Sequence, residues 1–168
     1  MSIHDELSVE LKKLVGFSAS DPNTTSIKGR EGIEVAIDFT AVDSMSCSFR
    51  EMRLRVPSLV DANFAVLEEW AKNLCSRVTY LLESVGPLEL DAENDQVLIR
   101  STPPDQQPGG SRFYEIMLCA HADGNFSLQR YKSENGRPGR ERVDIQTTHE
   151  VLDKLLRDLL ESIPPADA

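Results

Sequence analysis

The feature that most constrains the fold is a pair of apolar segments joined by a short turn sequence. FYEIMLCA at 113–120 precedes Asp123-Gly124, which is followed by NFSLQRYK at 125–132. Asp-Gly between two such segments is typical of a two-residue type I′ turn, so the pattern predicts an antiparallel hairpin. Because the first segment is apolar at consecutive positions, both faces of its strand need cover. We therefore expect it to lie centrally in a sheet, covered by other elements or by a second subunit.

Alternation of apolar and polar residues predicts two strands ahead of this hairpin. From 33 to 40, apolar side chains occupy every second position, as in a strand with one wet face. In the next strand they occupy odd positions from 45 to 49 and even positions from 52 to 56. One extra residue near Arg50, a β-bulge, would keep both sets on the core face. Further segments with strand character are 88–90, 96–101, 112–120, 125–132 and 142–146.

Helical spacing of apolar residues predicts an N-terminal helix and a long central helix. The first spans about 2–15, with Ser2 and Asp5 as a capping box and Gly16 as the residue that ends it. The second is expected from about 59 to 84, a length of nearly 40 Å, and would form the spine of the core. Ser58 and Asp61 are its predicted cap, and Gly86 and Pro87 its predicted stop.

A third helix is predicted at the C-terminal end of the sequence. Thr147 and Glu150 match a capping box, and Pro164-Pro165 ends the helix. Between them, leucines and other apolar residues from Val151 to Ile163 form one stripe. Such a stripe packs in the core or, alternatively, supplies a homodimer seam or a partner groove.

These elements predict one α+β domain over 1–168, with a mainly antiparallel sheet of about six strands packed on the long central helix. The expected order is α-ββ-α-ββββ(β)-α, with amphipathic helices at both termini. We expect flexible loops near 17–31, 102–111 and 133–141, where Ser, Pro, Gly and charged residues are frequent, and a short disordered tail at 164–168.

Charge and cysteine content narrow the classes of partner and compartment. The 168 residues carry a net charge of -10, which disfavours binding to nucleic acids and to anionic membranes. Neither a signal-peptide core nor an apolar run of about 20 residues is found in the sequence. Three cysteines without CxxC spacing favour free thiols, so the sequence predicts a cytoplasmic protein.

The sharpest catalytic pattern is Cys119, His121 and Asp123, which would share one face of a continued strand. A thiol, an imidazole and a carboxylate in this order are typical of a cysteine nucleophile with its base. Alternate residues on a strand are about 6.5 to 7 Å apart, however, and Asp123 is explained by the turn. Cys119 and His121 could also bind a metal if the fold supplied Cys47 or His149, but two candidate ligands alone do not make a metal site. We therefore assign no catalytic residue, metal or cofactor, and keep a thiol-dependent enzyme built on Cys119 and His121 as an alternative.

A cluster of cations interrupts the acidic sequence. Its members are Arg130, Lys132, Arg137, Arg140 and Arg142. The NGRPG turn between them could project arginines that hold a carboxylate or phosphate, and Arg50, Arg53 and Arg55 could extend the patch. A solvated hairpin loop is the simpler interpretation.

Three functional hypotheses follow. The first is a non-enzymatic protein-interaction domain that binds a protein partner or self-associates as a homodimer. In size, acidity and element order the chain is similar to small acidic chaperones that hold secretion substrates, which implies a chaperone- or adaptor-like role. The alternatives are a domain that binds a small anion through Arg130–Arg142 and the thiol-dependent enzyme. The common cofactor, hydrolase and calcium motifs do not occur in the sequence.

Overall fold

A computed structural model describes residues 2–78, 85–101, 105–107, 110–121 and 124–165 of the chain. Within these ranges the protein is an α+β fold with three α-helices and one large antiparallel sheet of ten strands. The elements are α1 (Ile3–Leu14), β1 (Ser18–Lys28), β2 (Glu34–Val42), β3 (Ser46–Arg55), α2 (Phe64–Arg77), β4 (Val85–Asp91), β5 (Gln96–Ser101), β6 (Asp105–Gln107), β7 (Gly110–His121), β8 (Gly124–Glu134), β9 (Glu141–Val143), β10 (Ile145–Thr148) and α3 (His149–Ser162).

The strand order of the sheet is β1-β2-β3-β8-β7-β5-β4. The predicted hairpin is present, because β7 pairs with β8 in register from Gly110 with Glu134 to Leu118 with Phe126. Three short strands extend the sheet where the main strands lose their neighbours: β10 pairs with β3, β6 with β7 and β9 with β8. The central position predicted for 113–120 is therefore confirmed, with β8 on one side and β5 on the other.

The three helices and one face of the sheet form the apolar core. Trp70 of α2 is fully buried, and its ring centroid lies 6.1 Å from that of Phe126 on β8. The indole N–H donates to Ser162 Oγ at 3.0 Å, which ties α2 to the end of α3. Along α3, Leu152, Leu155, Leu156 and Leu159 are at most 1% exposed, so the core takes up the stripe that could have formed a helical seam.

Two local predictions are confirmed residue by residue. Ser2 and Asp5 form the capping box of α1, and Gly16 follows the helix with a φ of 96°. Between β2 and β3, Ile37 pairs with Met52 and Phe39 with Phe49, so β3 has one extra residue at 50–51. The bulge keeps Phe49 and Met52 both fully buried, as the change of phase predicted.

The predicted loop at 17–31 is wrong, because Ser18–Lys28 is an edge strand. Its outer part bulges, since Ser18 pairs with Ala41 while Asn23 pairs with Phe39. From Asn23 onward the pairing is regular and places Thr25 and Ile27 in contact with the core. A Ser- and Thr-rich segment can form a strand here because β2 supplies its hydrogen bonds.

The long central helix is also corrected. It spans Phe64–Arg77, about 21 Å, rather than 59–84. Ser58 lies in a short 3₁₀ turn, and Asp61 has a left-handed φ of 61°, so neither caps the helix. The predicted stop, Gly86-Pro87, belongs to β4 instead. Residues 79–84 lie outside the described ranges.

Smaller corrections concern element ends. Thr148, not Thr147, caps α3 by accepting a hydrogen bond from Val151 N at 3.1 Å. Met45 is 75% exposed and precedes β3, so it does not belong to the core face. The strand predicted at 142–146 is divided, because β9 pairs with β8 and β10 pairs with β3.

The other predicted loops and the tail are described in part. In 102–111, the described residues belong to β6 and β7, and 102–104 and 108–109 lie outside the described ranges. In 133–141, β8 continues to Glu134 and β9 begins at Glu141, with a turn between them. Residues 122–123, between β7 and β8 in the sequence, and residues 166–168 also lie outside the described ranges.

Candidate functional site

The candidate site lies on the face of the sheet that points away from the core, which we call the helix-free face. Among the described residues, no helix packs on it. Alternate residues of the strands whose neighbours fill the core point to this face. They include Thr24 and Ser26 on β1, Ala36 and Asp38 on β2, Glu51, Arg53 and Arg55 on β3, Leu98 and Arg100 on β5, Phe113, Glu115, Met117 and Cys119 on β7, and Ser127, Gln129 and Tyr131 on β8.

A continuous chain of polar contacts, which we call the polar belt, crosses this face. Arg53 Nη1 and Nη2 donate to the two carboxylate oxygens of Asp38 at 2.7 and 3.1 Å. Thr24 Oγ1 donates to the same carboxylate at 2.7 Å. On the other side, Arg53 Nη1 donates to Glu51 at 3.1 Å, and Gln129 Nε2 donates to Glu51 at 2.9 Å. The belt thereby links β1, β2, β3 and β8 through side chains as well as through the backbone.

Beyond the belt, two arginines and two aromatic rings form a stack that we call the arginine–aromatic cluster. The rings of Phe113 and Tyr131 are stacked with centroids 5.9 Å apart. Arg100 lies 4.7 Å from the centroid of Phe113, and Arg140 lies 3.9 Å from that of Tyr131. Both arginines also donate to the Glu115 carboxylate, Arg100 at 3.2 Å and Arg140 through both terminal nitrogens. A carboxylate with only 10% of its side chain exposed is thus held by two cations.

Three charged groups of the belt and the cluster have shifted pKa values: Asp38, Arg53 and Arg140. Burial alone raises the pKa of the Asp38 carboxyl, but hydrogen bonds from Arg53 and Thr24 outweigh it and hold the pKa below its ordinary 3.8. The hydrogen bond to Asp38 raises the pKa of Arg53, and the bond to Glu115 raises that of Arg140. The Asp38–Arg53 pair is therefore ionised at neutral pH.

A depression of about 390 Å³ lies beside the belt. Its floor includes Ala36, Met117 and Cys119, and Arg53 and Arg55 stand at its rim. Ser26, Glu34 and Ser127 also line it. An apolar floor with a charged rim can take a side chain of a polypeptide or a small molecule, since such pockets usually measure about 300–1,000 Å³.

The structure places both residues of the predicted cysteine–histidine pair, Cys119 and His121, at the end of β7. Cys119 is half-buried in the depression, and His121 is exposed at the end of β7. The carbonyls of both residues face the amide of the fully buried Asn125, which donates to Cys119 O at 3.2 Å. Asp123 lies outside the described residues. The Cys119 thiol therefore lies on the helix-free face. The buried Asn125 amide holds the backbone at the end of β7 in place.

The metal ligands considered with Cys119 lie elsewhere. Cys47 belongs to the core on the opposite face, where burial and the nearby Asp43 raise the pKa of its thiol to about 12. His149 Nε2 lies 3.1 Å from Ser46 O at the start of α3. Within the described part of the chain, no group of three or more His, Cys, Asp and Glu side chains is placed to hold a metal ion.

The predicted cation cluster is divided between surfaces. Lys132, Arg137 and Arg140 line a depression of about 190 Å³ together with Glu134 and Glu141. Carboxylates neutralise them, because Lys132 lies 3.3 Å from Glu141 and Arg137 lies 3.3 Å from Glu134.

The other two members lie apart from that depression. Arg130 lies over the ring of Tyr114 at 4.8 Å, on the core side of the sheet. Arg142 lies 3.9 Å from Glu51 on the helix-free face.

Sequence reasoning missed most of the helix-free face. Phe113 and Glu115 lie in the segment that predicts a central strand, and the sequence patterns give no functional role to Asp38, Glu51 or Gln129. Alternation does identify these positions as outward. Their pairing across β2, β3, β8 and β7 depends on strand order, which the sequence does not specify.

Comparison of the chain with protein-family models, curated proteins and solved structures finds no match. No helix within the described ranges has both the length and the apolar character needed to cross a membrane.

Proposed function

We propose that this protein is a non-enzymatic protein-interaction domain that docks its partner on the helix-free face of the sheet. The observation that carries the proposal is the composition of that face. Arginine, methionine and aromatic residues are enriched at protein interfaces, whereas lysine is depleted there. Five arginines (Arg53, Arg55, Arg100, Arg140 and Arg142) meet Phe113, Met117 and Tyr131 on this one face.

The organisation of the face favours recognition over catalysis. The polar belt holds its charged groups in fixed positions, so a partner would meet an ordered surface at low cost in side-chain entropy. The apolar floor of the depression is surrounded by this polar rim, which is the usual anatomy of a docking site. A chaperone- or adaptor-like role would use such a surface without any chemical step.

The two alternatives have less support from the geometry. An anion at Arg130–Arg142 would have to compete with the carboxylates that already face Lys132, Arg137, Arg140 and Arg142. A thiol enzyme would have to activate Cys119 through His121, two residues along the same strand and about 6.5 to 7 Å away.

Site-specific photo-crosslinking tests the proposed surface. A benzophenone side chain would replace Ser26, at the edge of the depression, or Lys72, an exposed residue of α2 on the helical layer. Each protein would be irradiated in a lysate of its native source, and the adducts identified by mass spectrometry. We expect a defined protein adduct at position 26 only, and we expect Ser127→Arg, which blocks the depression, to remove it.

The Lys72 probe is the matched control because it reports whatever binds the surface without specificity. Equal adduct patterns from the two positions would contradict the proposal, as would an adduct at 26 that survives Ser127→Arg. An adduct confined to position 26 that consists of a second copy of this chain would retain the proposal and identify self-association as the interaction.

A further inference from the structure

We infer that the occupant of the helix-free face is a second copy of this chain, and that two copies form a symmetric dimer by packing these faces together. The inference rests on the proposed function and specifies its partner. Three properties of the face carry it: its charge balance, its size and the cover that β7 requires.

Charge balance distinguishes this face from the rest of the molecule. On β2, β3, β5, β7, β8, β9 and the turn before β9, the face carries five arginines and four carboxylates, Glu34, Asp38, Glu51 and Glu115. The three helices carry nine carboxylates and six cations, and the whole chain has a net charge of -10. Two copies repel each other through most of their surfaces, but little at this face.

Packing the two faces together also places the acidic helical layers at the outside of the dimer. Packed sheets are about 10 Å apart, so two complete sheets would separate the helices of one copy from those of the other. A head-to-tail arrangement would instead bring the acidic helices of one copy onto the face of the next, and such contacts do not close into a dimer. Closure therefore favours the symmetric arrangement.

The size of the face suits a stable dimer. Six adjacent strands at about 4.8 Å spacing and about seven residues per strand at about 3.3 Å give a footprint of about 650 Å². A standard interface buries about 800 Å² on each partner, so two such faces with their protruding arginines approach that size. A single mobile peptide would leave much of the face uncovered.

The cover of β7 is the third observation. Its residues 113–116 are all buried, at 2–9% exposure, with Phe113 and Glu115 on the helix-free face. Within one copy, this outer cover consists of Arg100, Arg140 and the ring of Tyr131. Further along the same face, Met117 and Cys119 remain half-buried at the floor of the depression. A second sheet would cover the part of β7 that the arginines leave open.

Sedimentation equilibrium and thiol protection test the inference together. The protein would be alkylated with a fixed concentration of iodoacetamide over a range of protein concentrations. The rates at which Cys119 and Cys75 are modified would be measured by mass spectrometry. Cys75 is on α2, in the helical layer, and serves as the internal control. We expect a dimer in the centrifuge, and we expect alkylation of Cys119 to slow in proportion to the dimer fraction while alkylation of Cys75 stays constant.

Two charge reversals of equal size sharpen the experiment. Arg55→Glu changes the rim of the depression, and Lys72→Glu makes the same change on α2. Because each substitution occurs twice in a symmetric interface, we expect Arg55→Glu to weaken the dimer at least tenfold and Lys72→Glu by less than twofold. A melting temperature for each variant separates weakened association from weakened folding.

The outcomes separate the two proposals. The self-association inference is overturned if the protein is a monomer at all concentrations and the alkylation rates of Cys119 and Cys75 do not depend on protein concentration. If crosslinking at position 26 then still captures a different protein, the interaction function stands with another partner. A dimer in which Cys75 rather than Cys119 is protected assigns the interface to the helical layer and overturns the inference as well.

Discussion

The two faces of the sheet are built from alternate residues of the same strands, yet different forces hold them. On the covered face, Phe49, Met52 and Leu128 are completely buried among helices, where the hydrophobic effect dominates. On the helix-free face, Asp38, Arg53 and Glu115 are held by ion pairs and hydrogen bonds at the edge of solvent. Such pairs contribute less to stability than buried apolar side chains do, because solvent screens them.

The largest expected effect is on the covered face, at Trp70. Trp70→Ala removes the ring packed on Phe126 and the hydrogen bond to Ser162, and leaves a cavity between α2, α3 and the sheet. We expect a loss of about 3–5 kcal/mol in the free energy of unfolding, measured by urea denaturation. Ser162→Ala is the companion variant, since it keeps the ring but removes the bond from Trp70 and the one that Ser162 Oγ donates to Leu159 O, and it should cost about 1–2 kcal/mol. A loss below that of Ser162→Ala would mean that the core does not depend on this ring.

On the helix-free face, the corresponding experiment is Glu115→Gln. The substitution keeps the shape of the side chain but removes the charge that Arg100 and Arg140 share. The side chains of both arginines are more than a third exposed, and solvent therefore screens the interaction. We expect a loss of about 1–2 kcal/mol, smaller than at Trp70, in the same denaturation experiment.

Arg140→Met distinguishes the ion pair from packing in that experiment. It keeps an apolar stem beside the ring of Tyr131 while removing the guanidinium. If the pair matters, Glu115→Gln in the Arg140→Met background should cost less than it does alone. Equal costs in both backgrounds would show that Glu115 acts independently of Arg140.

These contrasts also show what the sequence can predict. The capping box at Ser2 and the bulge near Arg50 were predictable, because a few neighbouring residues determine each of them. The strand at Ser18–Lys28 was not, since β2 rather than local propensity stabilises it. The central helix was overestimated because Leu59 continues its apolar spacing, although Leu59 is buried from a 3₁₀ turn. Long-range register limits prediction most, and the polar belt depends entirely on register.

A smaller effect is expected from pH, through Asp38. Its pKa is held below 3.8 in the folded protein, so its ionised form stabilises the fold above that pH. This contribution is lost as the pH falls below 3.8 and through the lower pKa that Asp38 has in the folded protein. Asp38→Asn should therefore lower the free energy of unfolding at pH 7. The expected loss is less than about 1 kcal/mol, because solvent near the Asp38–Arg53 pair screens their interaction.

The pH dependence of the difference is the decisive measurement for Asp38. Thermal unfolding of both proteins would be followed from pH 7 down into the acid range. The gap between wild type and Asp38→Asn should narrow below about pH 4, since the Asp38 carboxyl is then protonated first in the unfolded chain and, at lower pH, in the folded protein as well. A gap that stays constant to the lowest pH would show that the Asp38 side chain contributes by packing rather than by charge.

The smallest effect is expected at Cys119, and it separates the faces most directly. Cys119→Ser changes a half-buried position at the floor of the depression, so we expect a change in stability within about 0.5 kcal/mol. Cys47→Ser makes the same chemical change in the core and should cost about 1–3 kcal/mol, because it buries a hydroxyl where burial already raises the pKa of the thiol to about 12. Equal losses would mean that Cys119 supports the fold as Cys47 does. If the loss of stability in Cys119→Ser is small, any change in its self-association cannot come from weakened folding. It would then come from the helix-free face.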